Sequence, residues 1–84
     1  MQPIHELLKQ IRWDPNFQGS RFEIGYYDRI RDEIIRVPLQ GLNFPDNDHF
    51  DFELVDEEGE LHRIPLHRIK RVYRDGELIW HREH

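Results

Sequence analysis

A two-residue alternation of apolar and polar side chains, preceded by one helical segment, most limits what this chain can fold into. Ile4, Leu7, Leu8 and Ile11 follow the spacing of one helical face, which predicts a helix over residues 3–12. From Phe22 onward, apolar residues recur at every second position over short segments, as in half-buried β-strands. The sequence therefore predicts an α+β fold, in which one N-terminal amphipathic helix packs on a partly rolled antiparallel sheet of about five strands.

Turn signals separate the predicted strands. These strands cover residues 22–27, 33–38, 50–55, 60–64, 70–74 and 77–82. Asp75-Gly76 is a strong signal for a two-residue hairpin. Pro65 cannot donate a hydrogen bond to a central ladder, so its strand is expected to end there or to lie at a sheet edge. The phenylalanines on the apolar phase, predicted to lie in the core, are Phe22, Phe50 and Phe52.

The length of the chain predicts a single domain over residues 1–84. The sequence contains no cysteine, which excludes disulfides, thiolate zinc sites and cysteine nucleophiles. No apolar segment approaches the roughly 18 residues that a membrane-spanning helix needs. The first residues lack the features of a signal peptide. We therefore expect a cytoplasmic protein that does not bind membranes.

The net charge of −5 conceals a strong asymmetry along the chain. Residues 45–60 carry eight acidic and no basic side chains. Residues 61–84 carry six basic and three acidic side chains, with four of the six histidines. A phosphate responds to the local field, so a basic segment can attract it although the whole chain is acidic. This balance opposes the coating of duplex DNA, but it suits a site for one or two phosphates.

The segment 61–71 interleaves two His-Arg pairs with aliphatic residues. Aliphatic side chains can anchor this segment in the core while arginine and histidine face outward to bind phosphate. An ordinary solvated strand explains the same pattern. His62 and His67 could also act as acid and base on RNA, although a spacing of five residues across a proline does not fix the required geometry.

Metal and cofactor sites are not predicted. His62 and His67 lack the spacing of zinc-binding helices. The acidic residues that follow Pro45 lack the ligand order of a calcium loop, so we interpret them as a solvated edge that discourages aggregation. Those residues are Asp46, Asp48, Asp51, Glu53, Asp56, Glu57 and Glu58.

Four short motifs, taken in order, resemble a known family. They are Arg12-Trp13-Asp14, then Gly25-Tyr26-Tyr27-Asp28-Arg29, then Pro65-Leu66-His67-Arg68-Ile69, and finally Gly76 followed by Trp80-His81-Arg82. Their order and spacing resemble the small RNA cyclic-group end recognition domain, a family found as a stand-alone protein in archaea and as a module in larger eukaryotic proteins. The resemblance covers nearly the whole chain. His81 stands where some relatives carry an acidic residue.

The resemblance implies binding of RNA ends, including ends with a 2′,3′-cyclic phosphate, in RNA repair or processing. It implies that RNA or phosphate is bound by Tyr26, Asp28, Arg29, His67, Arg68, Trp80 and Arg82. The two arginines Arg29 and Arg68 would bind the free oxygens of a cyclic phosphate, and His67 would donate a further hydrogen bond. Tyr26 or Trp80 would stack the terminal base. Asp28 would either orient an arginine or cap a turn.

Three functions remain open from the sequence. The first is a non-enzymatic module that binds single-stranded RNA ends and needs no cofactor. The second is a small RNA-processing enzyme that acts on cyclic-phosphate ends through His67. The third is an adaptor that docks RNA-processing proteins on its basic hairpin.

Overall fold

The structure, a computed structural model, describes residues 2–45 and 50–83. In that part of the chain it contains one α-helix and six strands. The elements are α1 (Ile4–Trp13), β1 (Phe22–Asp28), β2 (Glu33–Pro38), β3 (Asp51–Val55), β4 (Leu61–Pro65), β5 (Ile69–Arg74) and β6 (Glu77–His81). Short 3-10 helices lie at Pro15–Phe17, Leu39–Gly41 and Leu66–Arg68.

Helix α1 begins and ends where the local sequence dictates. Pro3 precedes its first residue in an extended conformation, and Ile4, Leu7 and Ile11 on one face are buried. Asp14 ends the helix, and its carboxylate accepts a hydrogen bond from the backbone N–H of Asn16 at 2.9 Å. The predicted helix is confirmed. Among the described residues, no helix is long and apolar enough to span a bilayer.

All strand pairs are antiparallel, but the strands divide into two sheets. The main sheet is open and has the order β2-β1-β5-β6, while β3 and β4 form a separate hairpin. The α+β class with one covering helix is confirmed; the six strands differ from the single sheet of about five that the sequence predicts. The division follows from Pro65, which cannot continue the ladder, and from the 3-10 helix Leu66–Arg68, which redirects the chain between β4 and β5.

The hairpin between β5 and β6 turns at the predicted residues. Asp75 and Gly76 both adopt positive φ, at 50° and 86°. This is the backbone of a two-residue turn whose twist matches that of the flanking strands.

The core lies on one face of the main sheet, which we call the inner face. Helix α1 and the β3–β4 hairpin both pack against this face. Tyr26 of β1 meets Phe52 of β3 edge to face, with 6.0 Å between ring centroids. The buried residues are Ile4, Leu7, Ile11, Phe22, Ile24, Tyr26, Phe52, Ile64, Leu66, Ile69, Val72 and Trp80.

Phe50 is the exception among the phenylalanines predicted to be buried. Phe22 and Phe52 lie in the core, whereas Phe50 is 79% exposed. Strand β3 begins one residue later, at Asp51, so the alternation does not extend to Phe50. The prediction that Phe50 belongs to the core is therefore wrong.

Candidate functional site

The second face of the main sheet, which we call the outer face, carries the residues that alternate with the core residues of β1. Glu23, Gly25 and Tyr27 alternate with the buried Phe22, Ile24 and Tyr26. A Cβ added at Gly25 would lie 2.9 Å from Cγ2 of Ile34 and 3.2 Å from Cβ of Arg71, so these side chains would have to move to admit it. Glycine in the motif thus lets neighbouring side chains close over β1.

The pairing of β1 with β5 brings two of the sequence motifs to one end of the main sheet. Tyr26 pairs with Ile69, so the residues after Tyr26 lie beside the residues before Ile69. Tyr27, at the end of β1, therefore neighbours Arg68, at the end of the 3-10 helix. We call this end of the sheet, formed by Tyr27, Asp28, Arg29 and Arg68, the arginine corner.

The electrostatics of Tyr27 support this placement. Its hydroxyl donates a hydrogen bond to the carboxylate of Asp32. That bond raises the pKa of Tyr27, while the positive charges of Arg29 and Arg68 act to lower it. Asp32, Arg29 and Arg68 are therefore the charged groups that act on this hydroxyl.

Arg29 and Arg68 carry the positive charges of the arginine corner. Arg29 is exposed and Arg68 is half-buried. In the described part of the chain, neither guanidinium takes part in a hydrogen bond or an ion pair. Arg63, by contrast, contacts Glu53 at 3.3 Å. A guanidinium group that is not bound by the protein can donate its fork of N–H groups to the oxygens of a phosphate.

Asp28 shapes the turn that carries Arg29. Its Oδ1 accepts hydrogen bonds from the backbone N–H groups of Ile30 and Arg31, at 2.9 and 3.3 Å. Of the two roles predicted for Asp28, the structure therefore supports turn capping. An aspartate at this position fixes the backbone of the turn and leaves the Arg29 side chain in solvent.

His67 is exposed and borders the helix side of the sheet rather than Tyr27. It lines an open cavity of about 340 Å³ together with His5, Phe50 and Arg82. His67 and Arg68 are consecutive, but they open onto different surroundings, so the arginine corner holds Arg29 and Arg68 without the imidazole between them.

Tyr26 and Trp80 require a correction. Both are 7% exposed and belong to the core. Burial is the main cause that raises the pKa of Tyr26. The indole Nε1 of Trp80 donates to the backbone oxygen of Gln2 at 2.7 Å. Because both rings are enclosed by core side chains, neither exposes a face on which a base could stack.

Arg82 already serves the protein backbone. Its Nε donates to the backbone oxygen of Ile69 at 2.9 Å, and its Nη2 to that of Leu66 at 2.8 Å. Its guanidinium lies 5.2 Å from the centroid of the Trp80 ring, and burial lowers its pKa. Arg82 thus braces both ends of the 3-10 helix that carries His67 and Arg68.

One group of side chains on the β3–β4 hairpin has the composition of a metal site. Potential ligand atoms of Asp56, Glu60 and His62 lie within 4.8 Å of one another. His62 Nε2 and Asp56 Oδ2 are 2.7 Å apart, and this hydrogen bond raises the pKa of His62 and lowers that of Asp56. The hydrogen bond accounts for the arrangement. Asp46 and Asp48 of the predicted acidic edge lie outside the described residues.

Several residues of the outer face were not identified as candidates from the sequence motifs. Arg36 lies over the ring of Tyr73, 3.7 Å from its centroid, and pairs with Glu23 at 2.9 Å. Tyr27 was named in a motif without a role. The alternation of β1 offered a signal for Tyr27, since it placed Tyr26 on the phase of Phe22 and Ile24 and Tyr27 on the opposite phase.

Comparison with known proteins identifies one family. The sequence model of the family described as MJ1316 RNA cyclic group end recognition domain matches residues 1–82. No curated protein and no solved structure shows significant similarity.

Proposed function

Because the chain belongs to the MJ1316 RNA cyclic group end recognition domain family, we propose that it binds single-stranded RNA ends bearing a 2′,3′-cyclic phosphate. The family name indicates recognition of RNA cyclic-group ends. In this proposal the arginine corner binds the phosphate, and binding requires no chemical step and no cofactor. Its biological setting would be RNA repair or processing, alongside RNA-processing protein partners.

One observation carries the proposal: two guanidinium groups that form no hydrogen bond or ion pair within the described residues belong to one end of the main sheet, in a protein of net charge −5. Seventeen acidic side chains are available for pairing, and Arg29 and Arg68 contact none of them in the described part of the chain. A cyclic phosphate carries one negative charge and two free oxygens on a rigid ring. Each guanidinium can donate two parallel hydrogen bonds to such oxygens.

The other residues of the motifs have supporting roles in this proposal. Asp28 sets the turn that presents Arg29, and Arg82 braces the 3-10 helix that presents Arg68. His67 follows the same helix and borders the adjacent cavity, where it can contact the sugar or base next to the phosphate. Tyr26 and Trp80 act through the core.

The test compares Arg68→Ala with Arg63→Ala. Fluorescence anisotropy would measure the affinity of a labelled RNA trinucleotide ending in a 2′,3′-cyclic phosphate, and of the same RNA ending in free hydroxyls. We expect wild type to prefer the cyclic end. Arg68→Ala should weaken its binding roughly tenfold or more, because hydrogen bonds to charged groups contribute about 1.5–3 kcal/mol.

Arg63→Ala is the control, because it removes the same charge from an arginine that is paired with Glu53 on the separate hairpin. Its effect should stay within about twofold, as for an exposed ion pair. Equal affinities for the two RNA ends, or equal losses in the two variants, would contradict the phosphate site. Conversion of the cyclic end that stops in His67→Ala would instead show an enzyme.

A further inference from the structure

The outer face of the main sheet is open, although it belongs to the most regular element of the protein. Helix α1 and the β3–β4 hairpin both pack on the inner face. Within the described residues, no helix or strand covers the outer face. An open face next to a candidate phosphate site has room for the nucleotides that precede the RNA end.

Aromatic and basic groups alternate across this open face. Starting from Tyr27 at the arginine corner, Arg71 packs beside Gly25 on the neighbouring strand. Farther along, the guanidinium carbon of Arg36 lies over the ring of Tyr73, 3.7 Å from its centroid. A base can stack on the exposed side of such a guanidinium–aromatic pair.

Exposed apolar side chains also lie on this face. Leu78 pairs with Tyr73 and is 45% exposed, and Ile34 pairs with Tyr27 and is 42% exposed. These two residues lie on opposite edge strands of the sheet, so each end of the face offers apolar surface. Bases, with their wide flat faces, can contact these side chains while the phosphates remain in water.

The charge of the outer face favours nucleic acid as the occupant. Arg36, Arg71 and Arg68 lie on or beside it, and Glu23 is already paired with Arg36. Arg71 donates to the backbone through Nη1, bonding Lys70 and Arg82, and its second terminal nitrogen has no partner in the described part of the chain. A local excess of guanidinium groups complements a phosphate backbone.

We propose that the outer face binds the two or three nucleotides that precede the RNA end, with bases stacked on the Arg36–Tyr73 pair and a phosphate held by Arg71. Open four-stranded sheets in other RNA-binding folds stack about that many bases. This inference rests on the proposed function, which puts the RNA end at the arginine corner. The preceding nucleotides would then extend from that corner to the Arg36–Tyr73 pair. We call this path the nucleotide track.

The test separates the track from the arginine corner by ligand length. Isothermal titration would compare uridine 2′,3′-cyclic phosphate with a uridine trinucleotide that ends in the same cyclic phosphate. We expect the trinucleotide to bind roughly tenfold or more tightly, as one or two stacked bases would give. Tyr73→Ala should abolish most of this difference and leave the mononucleotide affinity unchanged.

A second variant tests the track at an exposed position, in case Tyr73→Ala weakens binding by unfolding the protein. Leu78→Glu adds a negative charge at an exposed position of the track, and Val55→Glu makes the same change at a 58% exposed position of the separate hairpin. We expect Leu78→Glu to weaken trinucleotide binding roughly tenfold and Val55→Glu to leave it within about twofold. Circular dichroism would confirm that both variants fold.

The outcomes distinguish the two proposals. Equal binding of mononucleotide and trinucleotide, unchanged in Tyr73→Ala and Leu78→Glu, overturns the track and leaves the arginine corner standing. Length-dependent binding that is lost in Leu78→Glu, but is the same for cyclic and hydroxyl ends, supports the track and overturns the cyclic-phosphate site. A dimer of the chain that Leu78→Glu dissociates without changing RNA affinity makes the face a protein interface and overturns the track.

Discussion

The two faces of the main sheet are built from the same strands but have opposite surroundings. On the inner face, Ile24, Ile69 and Val72 are fully buried beneath the helix and the hairpin. On the outer face, Arg36 and Tyr73 remain in contact with solvent. Among the described residues, no polar or charged residue is classed as buried. The outer face of the sheet therefore presents charged side chains to solvent, while its inner face supplies the core.

This difference teaches that stability and binding occupy alternate residues of one strand. In β1, Tyr26 packs on Phe52, while the next residue, Tyr27, lies at the arginine corner. A substitution on one face should therefore leave the other intact unless the substituted residue touches both. Three substitutions test how complete this separation is.

The largest effect should come from Phe52→Ala on the inner side. Phe52 is fully buried, so its truncation leaves a cavity that should lower the free energy of unfolding by about 3–5 kcal/mol. Phe50→Ala, two residues earlier at a 79% exposed position, should lower it by less than about 1 kcal/mol. Urea unfolding measures both, and equal losses would refute the assignment of Phe52 rather than Phe50 to the core.

An intermediate effect is expected on the outer face, from Gly25→Ala. The added methyl group would push against Ile34 and Arg71, which should cost about 1–3 kcal/mol. Displacement of Arg71 should also weaken binding of the RNA trinucleotide. Gly41→Ala is the control, because a Cβ there meets nothing within 4 Å. A neutral Gly25→Ala would show that the outer side chains do not close tightly over β1.

The smallest effect should come from pH and from Asp56→Asn, on the separate hairpin. The raised pKa of His62 stabilises the fold below 6.5 and loses this contribution as pH rises through the folded-state value. The lowered pKa of Asp56 stabilises above 3.8 and loses its contribution as pH falls through the folded-state value. The hydrogen bond is therefore most favourable between these two pH values.

NMR titration would measure the pKa of His62 in wild type and in Asp56→Asn. The variant keeps Oδ1 as an acceptor for the backbone N–H groups of Glu58 and Glu60. It should shift the pKa of His62 towards 6.5 and destabilise more at pH 5.5 than at pH 8.5. RNA affinity should be unchanged at constant pH. A changed affinity would mean that the hairpin influences the outer face.

Local patterns in the sequence predicted the elements of this fold but not their assembly. The helical stripe of α1 and the Asp75-Gly76 turn depend on neighbouring residues, and both are confirmed. The strand order of the main sheet depends on the pairing of β1 with β5, as in Phe22 with Arg74, which are distant in sequence. No local pattern encodes that pairing, because the choice among strand partners is decided by packing of the whole core.

The candidate site could be predicted from the sequence only where motifs that are separate in sequence lie next to each other in the fold. The motifs that contain Arg29 and Arg68 meet because β1 pairs with β5. Trp80 and Arg82 were assigned to the ligand by their motif, but the structure gives their polar atoms backbone partners. A sequence motif preserves residues for folding and for binding alike, so only burial and hydrogen bonding separate Arg68 from Arg82.

The hydrogen bond between Trp80 and Gln2 joins residues 78 positions apart. A ribosome therefore releases the apolar stripe of α1 long before β6 exists to complete its surroundings. Because Trp80 belongs to the buried core, we expect the core to be completed only when β6 joins the sheet. Until then the newly made chain exposes apolar surface that is prone to aggregation. Chaperones that bind such surface should therefore affect the yield of the protein in cells.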